Sequence, residues 1–253
     1  MLLLNYMSMN ANKLRADSVF FVLDFDRTLG NTGKFHDFLE MVIEQETEIK
    51  ASQLRTARFD AEARGKSFDT VDYLRQFLNA SGSEKTWQQI QRVFIARIQN
   101  EDMLEPYAAE LLQLLKAKKL PHGIITFGGE AWQLAKLEGA NLLNVPHVVT
   151  HIQEKGKILT GWKKVSGDFI VPPALTHDFR PLTVTAIVFL DDKSVSFRGI
   201  PEGVYGIRVR PPEGLELATQ KATLPGGVAD VNGIQSAIEL LSSDEYNNIL
   251  DKA

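Results

Sequence analysis

Three apolar runs that each stop at polar residues constrain the fold of this chain more than any other feature of its sequence. They are residues 18–23 before Asp24, residues 123–125 before Thr126, and residues 184–190 before Asp191 and Asp192. Such runs, rich in β-branched and aromatic residues, are typical of strands that are buried on both faces of a parallel sheet. Helical periodicity between them predicts βαβ units and an open sheet, whose ligands bind beyond the carboxyl ends of the strands.

Weaker patterns complete this predicted core. Residues 147–150 and 204–209 are predicted as further strands, and residues 107–115, 131–143 and 234–241 as helices. Clusters of Pro and Gly at residues 211–214 and 225–227 predict surface loops. The fold class expected is therefore α/β, with a Rossmann-like open parallel sheet and helices on both of its faces.

The chain between the first strand and residue 105 has a different pattern. Residues 34–64, 70–78 and 84–99 are charged and periodic in the manner of helices, and no convincing strand lies among them. We therefore predict an all-helical domain at residues 31–104, inserted into a core formed by residues 1–30 and 105–253.

Composition excludes several classes of function. The chain has no cysteine, which rules out disulfides, thiolate catalysis and cysteine-based zinc sites. A net charge of −4 gives no broad basic field, so nucleic acid is not an expected partner. Residues 1–7 are apolar but make a poor signal peptide, and no later stretch approaches the length of a membrane span. We expect a soluble, cytoplasmic protein without a membrane partner.

Paired carboxylates follow two of the three apolar runs. Asp24 and Asp26 are two positions apart, so on an extended strand end both side chains can reach one pocket. Carboxylates this close repel each other unless a cation joins them, and oxygen ligands of this kind favour Mg²⁺. Asp191 and Asp192 end another strand and could complete the magnesium site.

Phosphate-binding groups are predicted beside these carboxylates. Thr126 offers a hydroxyl group, and backbone N–H groups next to it, at Phe127 and Gly128, can bind phosphate oxygens. A lysine could neutralise the charge of the phosphoryl group. The candidates in the interval before Asp191 are Lys155, Lys157, Lys163 and Lys164.

These motifs resemble those of the haloacid dehalogenase-like (HAD) superfamily. Residues 22–28, which read VLDFDRT and include Thr28, are similar to its first motif; residues 124–126 resemble the second, and residues 188–192 the fourth. All three occur in the family's order, each behind an apolar strand. The position of the predicted helical insert resembles that of the family's helical, C1-type cap, which closes over the site.

The resemblance implies a role for each motif residue. Asp24 would attack phosphorus and form an aspartyl-phosphate, while Asp26 would protonate the leaving oxygen and then activate water. Mg²⁺ would be held by Asp24, the backbone carbonyl of Asp26 and Asp191, with Asp192 in or near the coordination sphere.

The third motif of the family is loose, so spacing alone does not choose its lysine. Thr126 and one lysine would bind the phosphate. We favour Lys155, because Lys155-Gly156 looks like a turn just past a strand, with Lys157 second.

The expected function is that of an enzyme, a hydrolase of phosphoric monoesters acting on a small phosphorylated metabolite. Dehalogenases of the superfamily lack the second Asp, so Asp26 argues for phosphoryl transfer rather than halide displacement. A phosphomutase or phosphotransferase remains an alternative, as does a non-catalytic protein that binds a phosphorylated ligand. The sequence leaves the substrate and the oligomeric state open.

Overall fold

Eight strands are present in the computed structural model, which describes residues 18–64, 68–210 and 224–244. They are β1 (Val19–Leu23), β2 (His122–Phe127), β3 (His147–Thr150), β4 (Phe169–Val171), β5 (Leu182–Val184), β6 (Ala186–Asp191), β7 (Val204–Arg210) and β8 (Val228–Asn232). Six of them form one parallel sheet in the order β3-β2-β1-β6-β7-β8. β4 and β5 form a separate antiparallel pair.

The α-helices of the described residues lie between these strands and after the last of them. They are α1 (Thr32–Glu46), α2 (Ala51–Ala63), α3 (Thr70–Ala80), α4 (Trp87–Ile98), α5 (Ala108–Ala117), α6 (Glu130–Gly139), α7 (Lys155–Trp162) and α8 (Gly233–Leu241). None of these helices is long and apolar enough to cross a membrane.

Alternate residues of the central strands feed two separate apolar clusters, one on each face of the sheet. In β1, Val19, Phe21 and Leu23 belong to one cluster, whereas Phe20 and Val22 belong to the other. Side chains of α5, α6 and α8 cover the first face, and α7 with the β4–β5 pair covers the second. A strand covered on both faces must be apolar at every position, which explains the uninterrupted apolar runs of the sequence.

The predicted α/β architecture is confirmed, with differences in its smaller elements. The apolar run at 184–190 is divided, because β5 ends at Val184 and β6 begins at Ala186. The pair of short strands β4–β5 and the edge strand β8 were not predicted from the sequence. Residues 225–227 form the loop before β8, whereas residues 1–7 and 211–214 lie outside the described residues.

Four helices, α1 to α4, and no strand occupy the described part of residues 31–104, apart from an isolated bridge between Leu104 and Gly30. The predicted helical segment 34–64 is two helices, because Thr47 ends α1 in an extended conformation and its hydroxyl donates to the Ile43 carbonyl at 2.7 Å. The insert packs on the core through Trp132 of α6, whose ring contacts Trp87 and Phe94 of α4. The division into two domains at residues 31–104 stays a prediction.

Candidate active site

Three buried carboxylates meet at the carboxyl edge of the sheet. Because β1 and β6 pair in parallel with Leu23 opposite Leu190, the residues that follow, Asp24 and Asp191, emerge side by side. Ligand oxygens of Asp24, Asp191 and Asp192 lie within 4.8 Å of one another. The parallel register of two central strands thus brings the acidic residues of two motifs into one cluster.

The ammonium group of Lys155 lies inside this cluster. Its Nζ contacts Asp24 and lies 2.7 Å from Oδ2 of Asp191, and the side chain is almost fully buried. Burial lowers the pKa of the ammonium group, but the charges of Asp191 and Asp24 outweigh that effect and raise it above its usual range. Lys155 therefore stays charged between the two carboxylates.

Gly156 permits the close approach of α7 that places Lys155. A Cβ atom at Gly156 would lie 2.5 Å from the carbonyl oxygen of Arg198 and 2.9 Å from the amide nitrogen of Ile200. The sequence analysis interpreted Lys155-Gly156 as a turn, whereas Lys155 is the first residue of a helix. Packing against the segment that follows β6 stabilises this helix despite its two glycines.

The positive charges near the cluster do not balance its three carboxylates. Burial, followed by the nearby charge of Asp191, raises the pKa of Asp24 to about 8, although Lys155 opposes this shift. Burial likewise raises the pKa of Asp192 to about 6, against the opposing charge of Lys193. Both oxygens of Asp192 are buried and have no hydrogen-bond partner among the described residues. Unpaired buried oxygens and three converging carboxylates fit a hard divalent cation such as Mg²⁺.

The side chain of Asp26 turns away from this cluster toward α6. Its Oδ1 contacts Nζ of Lys136 and accepts a hydrogen bond from Thr32 Oγ1 at 2.8 Å, while Oδ2 accepts from Gln133 Nε2 at 2.8 Å. Burial raises the pKa of Asp26, but Lys136 and Gln133 together lower it well below its usual range. Asp26 is therefore held as a carboxylate by three donors.

Thr126 and Thr28 lie next to these two groups of acids. The hydroxyl group of Thr126 is fully buried and donates to Gln133 Oε1 at 2.9 Å. The hydroxyl group of Thr28 lies 3.4 Å from Oδ2 of Asp24. Thr126 is therefore linked to Asp26 through Gln133, whereas Thr28, a residue of the first motif, contacts Asp24 directly.

One of the two backbone N–H groups predicted to bind phosphate is occupied elsewhere. The backbone N–H of Gly128 donates to the Thr150 carbonyl at 3.1 Å, so it is not free for a phosphate oxygen. Phe127 directs its carbonyl oxygen at Gln133 Nε2, 2.8 Å away, and its ring lies 5.9 Å from Lys193 Nζ.

The other candidate lysines do not join the cluster. Lys157 is exposed and pairs with Glu154, the Lys163 ammonium donates to the Glu202 carbonyl at 2.6 Å, and Lys164 is exposed. Lys155 and Lys157 differ because residues two apart on a helix point in nearly opposite directions, so only one of them can face the sheet edge.

Sequence reasoning missed Gln133, Lys136 and Lys193. Gln133 and Lys136 are 3% and 1% exposed on the face of α6 that packs on the core. Polar side chains three positions apart among apolar residues of one helix were the available signal. Lys193 directly follows the predicted pair of acids, and the charge of Asp192 raises its pKa although burial opposes this.

Comparisons with known proteins support the architecture of the core. No protein-family model matches the chain, and no curated protein matches it by sequence. A haloacid dehalogenase-like hydrolase of Burkholderia xenovorans is similar in structure, with a TM-score of 0.61 and 13% identity over 91% of this chain and 98% of that one.

Two further solved structures are similar at a lower level. A dehalogenase with an intermediate complex gives a TM-score of 0.51 and 17% identity over 90% of this chain and 99% of that one. A magnesium-bound HAD-hydrolase of Bacillus subtilis gives a TM-score of 0.50 and 14% identity over 89% of this chain and 99% of that one. The chain therefore has the fold of the HAD-like hydrolases, as its three motifs predict.

Proposed function

We propose that this chain, with its HAD-like fold, is a magnesium-dependent phosphohydrolase that acts on a small phosphorylated metabolite. The observation that carries the proposal is the buried cluster of Asp24, Asp191 and Asp192 with Lys155 between two of its members. A nucleophile, a set of metal ligands and a buried cation are the groups that phosphoryl transfer requires at one point.

The first step is attack by a carboxylate oxygen of Asp24 on the phosphorus atom. The bond between phosphorus and the leaving oxygen breaks. Asp26 gives this oxygen a proton that its Oδ1 takes up once it has separated from Lys136, while its Oδ2 stays on Gln133. In the second step Asp26 takes a proton from water, whose oxygen attacks the same phosphorus atom. Inorganic phosphate leaves, and Asp24 is regenerated as a carboxylate.

Charge on the phosphoryl group is balanced by residues of two elements. Lys155 neutralises part of it from the first turn of α7, and the Thr126 hydroxyl offers a hydrogen bond from the end of β2. Asp24, Asp191, Asp192 and the backbone carbonyl of Asp26 would hold Mg²⁺, which when bound supplies positive charge for the phosphoryl oxygens.

The helical insert supports a small substrate. Asp69, which caps α3, approaches the loop after β2 so closely that a Cβ atom at Gly129 would lie 2.2 Å from its carboxylate. The insert therefore packs beside the proposed phosphate site, where it limits the size of the group that carries the phosphate.

A second candidate is halide displacement, because one of the similar structures above is a dehalogenase. A covalent intermediate on Asp24 would be common to both reactions, an acyl phosphate in the first and a carboxylic ester in the second. The unpaired oxygens of Asp192 and the second acid at Asp26 favour the phosphohydrolase, since both supply chemistry that phosphoryl transfer uses.

The test is hydrolysis of 4-nitrophenyl phosphate with Mg²⁺ or with a chelator, by wild type and Asp24→Asn. We expect turnover that requires Mg²⁺ and disappears in the variant, with phosphate released to water rather than transferred to an added sugar. Asp60→Asn, at an exposed position of α2, is the matched control and should match wild type. Chloride release from 2-chloropropionate without phosphatase activity would instead establish the dehalogenase.

A further inference from the structure

The side-chain amide of Gln133 links Asp26, the proposed acid, to the end of β2, where the phosphate is proposed to bind. Its Nε2 donates to Asp26 Oδ2 and to the Phe127 carbonyl, both at 2.8 Å, and its Oε1 accepts from Thr126 Oγ1 at 2.9 Å. Every hydrogen-bonding position that the amide uses therefore leads to Asp26 or to the end of β2.

The orientation of this amide is set by its neighbours. A carboxylate and a carbonyl oxygen, which only accept hydrogen bonds, face Nε2, so reversing the amide would place oxygen against oxygen. Gln133 is 3% exposed, and Gly128 leaves room for it, because a Cβ atom there would lie 2.7 Å from Nε2. Burial and a full set of partners together fix the position of the side chain.

Asp26 has two other donors, and neither of them joins it to β2. Lys136 belongs to α6, and Thr32 is the first residue of α1. Among the described contacts of Asp26, Gln133 alone ties it to the strand end where Thr126 lies. The distance between the proposed acid and the proposed phosphate site depends on this side chain.

The hydroxyl group of Thr126 can donate one hydrogen bond, and Oε1 of Gln133 accepts it. A phosphate oxygen that binds at Thr126 must compete with Oε1 for that proton. Gln133 thus restrains the phosphate-binding hydroxyl while it holds Asp26, and its removal should affect the two functions in opposite directions.

We infer that Gln133 is a positioning residue that aligns Asp26 with the phosphate held at Thr126. The inference rests on the proposed function. Without Gln133, proton transfer to the leaving oxygen should weaken because Asp26 is displaced, whereas phosphate affinity should stay the same or rise because the Thr126 hydroxyl is released.

The experiment compares two substrates that differ in their leaving group. Phenyl phosphate needs protonation of its leaving oxygen more than 4-nitrophenyl phosphate does, while the two have similar shapes. In Gln133→Met we expect kcat/KM, which reports the step that expels the leaving group, to fall about tenfold more for phenyl phosphate than for 4-nitrophenyl phosphate. This is part of the full contribution of a general acid. Asp26→Asn sets the scale of a complete loss on the same pair.

Inhibition by inorganic phosphate supplies the second measurement. The inhibition constant of Gln133→Met should equal that of wild type or be lower, a result that general damage to the site would not give. Gln133→Asn keeps a buried amide but is too short to span both partners, so it repeats the test if the Met variant folds poorly. Gln113→Met, at an exposed position of α5, is the control for the substitution itself.

Equal losses on the two substrates, or phosphate inhibition that weakens along with turnover, would overturn the inference and leave the phosphohydrolase intact. If wild type hydrolyses neither substrate, the proposed function itself is wrong and the inference falls with it. A selective loss on phenyl phosphate with undiminished phosphate inhibition is the result that supports it.

Discussion

Nζ of Lys155 lies 2.7 Å from Oδ2 of Asp191 and also contacts Asp24. One ammonium group therefore forms ion pairs with carboxylates at the ends of two different strands. Both acids and the lysine are nearly inaccessible to solvent. A buried charge that loses its partner is strongly destabilising, which makes this contact a constraint on folding as well as on catalysis.

Replacement of Lys155 by Met should abolish most activity and weaken the fold. We expect kcat to fall by about 10²–10³, the range for removal of one electrostatic stabiliser. The free energy of unfolding should fall by about 3–5 kcal/mol in chelator, because two buried carboxylates lose their cation. Lys157→Met is the matched control, since that side chain is exposed and pairs only with Glu154.

Gly156 and Gly161 belong to the same helix, and their replacement by Ala should give opposite results. At Gly156 the new Cβ atom would meet backbone atoms at 2.5 and 2.9 Å, whereas at Gly161 no described atom outside the backbone of its own helix would lie within 4 Å. We expect Gly156→Ala to lose about 1–3 kcal/mol of stability and much of its activity, because α7 must shift and carry Lys155 with it. Gly161→Ala should be neutral or more stable, and equal behaviour of the two variants in thermal unfolding would contradict the packing of α7.

Binding of Mg²⁺ should stabilise the folded protein. Saturation at about 100 times the dissociation constant would add about 2.7 kcal/mol, because the cation binds the folded cluster and not the unfolded chain. Asp192→Asn should reduce the magnesium-dependent rise in Tm, since its two unpaired oxygens are part of the proposed ligand set. A rise of the same size in wild type and in Asp192→Asn, at matched ionic strength, would exclude Asp192 from the site.

His36 should make stability depend on pH. Burial, then the positive charges of Arg58 and Lys136, lower the pKa of His36 well below its usual 6.5. The unfolded chain therefore binds a proton that the folded protein rejects, so this stabilisation is complete above pH 6.5 and is lost as pH falls below it.

The slope attributable to His36 is at most about 1.4 kcal/mol per pH unit. Denaturant unfolding of wild type and His36→Gln between pH 5 and 7.5 should show a shallower slope in the variant. His151→Gln, at an exposed position, is the control and should keep the slope of wild type. Identical slopes in all three proteins would show that folding does not change the pKa of His36.

The acids at the sheet edge could be predicted because the end of each buried strand is encoded locally. Asp24, Thr126 and Asp191 each lie at the end of an apolar run, and parallel strands align their carboxyl ends. Gln133 and Lys136 could not be assigned in this way, because their direction depends on how α6 rotates to pack Trp132 against the helical insert. That rotation is a tertiary property, and helical periodicity alone does not determine which polar residue faces a site.

The choice among lysines shows the same limit in a smaller element. A turn at Lys155-Gly156 does not determine the direction in which the side chain of Lys157 points. A helix over Lys155–Trp162 does, because it directs the two lysine side chains to nearly opposite sides. The helix has weak intrinsic propensity, because Gly, Ile and Thr occupy its interior. Contacts with the chain near Arg198 and Ile200, distant in sequence, explain why it forms.

Covalent phosphorylation of Asp24 is the most direct test of the proposed mechanism. Wild type would be mixed with 4-nitrophenyl phosphate and Mg²⁺, quenched in acid within the first turnover, and digested for mass spectrometry. We expect a phosphoryl group on the peptide that contains Asp24 and none in Asp24→Asn. Turnover of the substrate with no phosphoryl group on that peptide would contradict the assignment of Asp24 as the nucleophile.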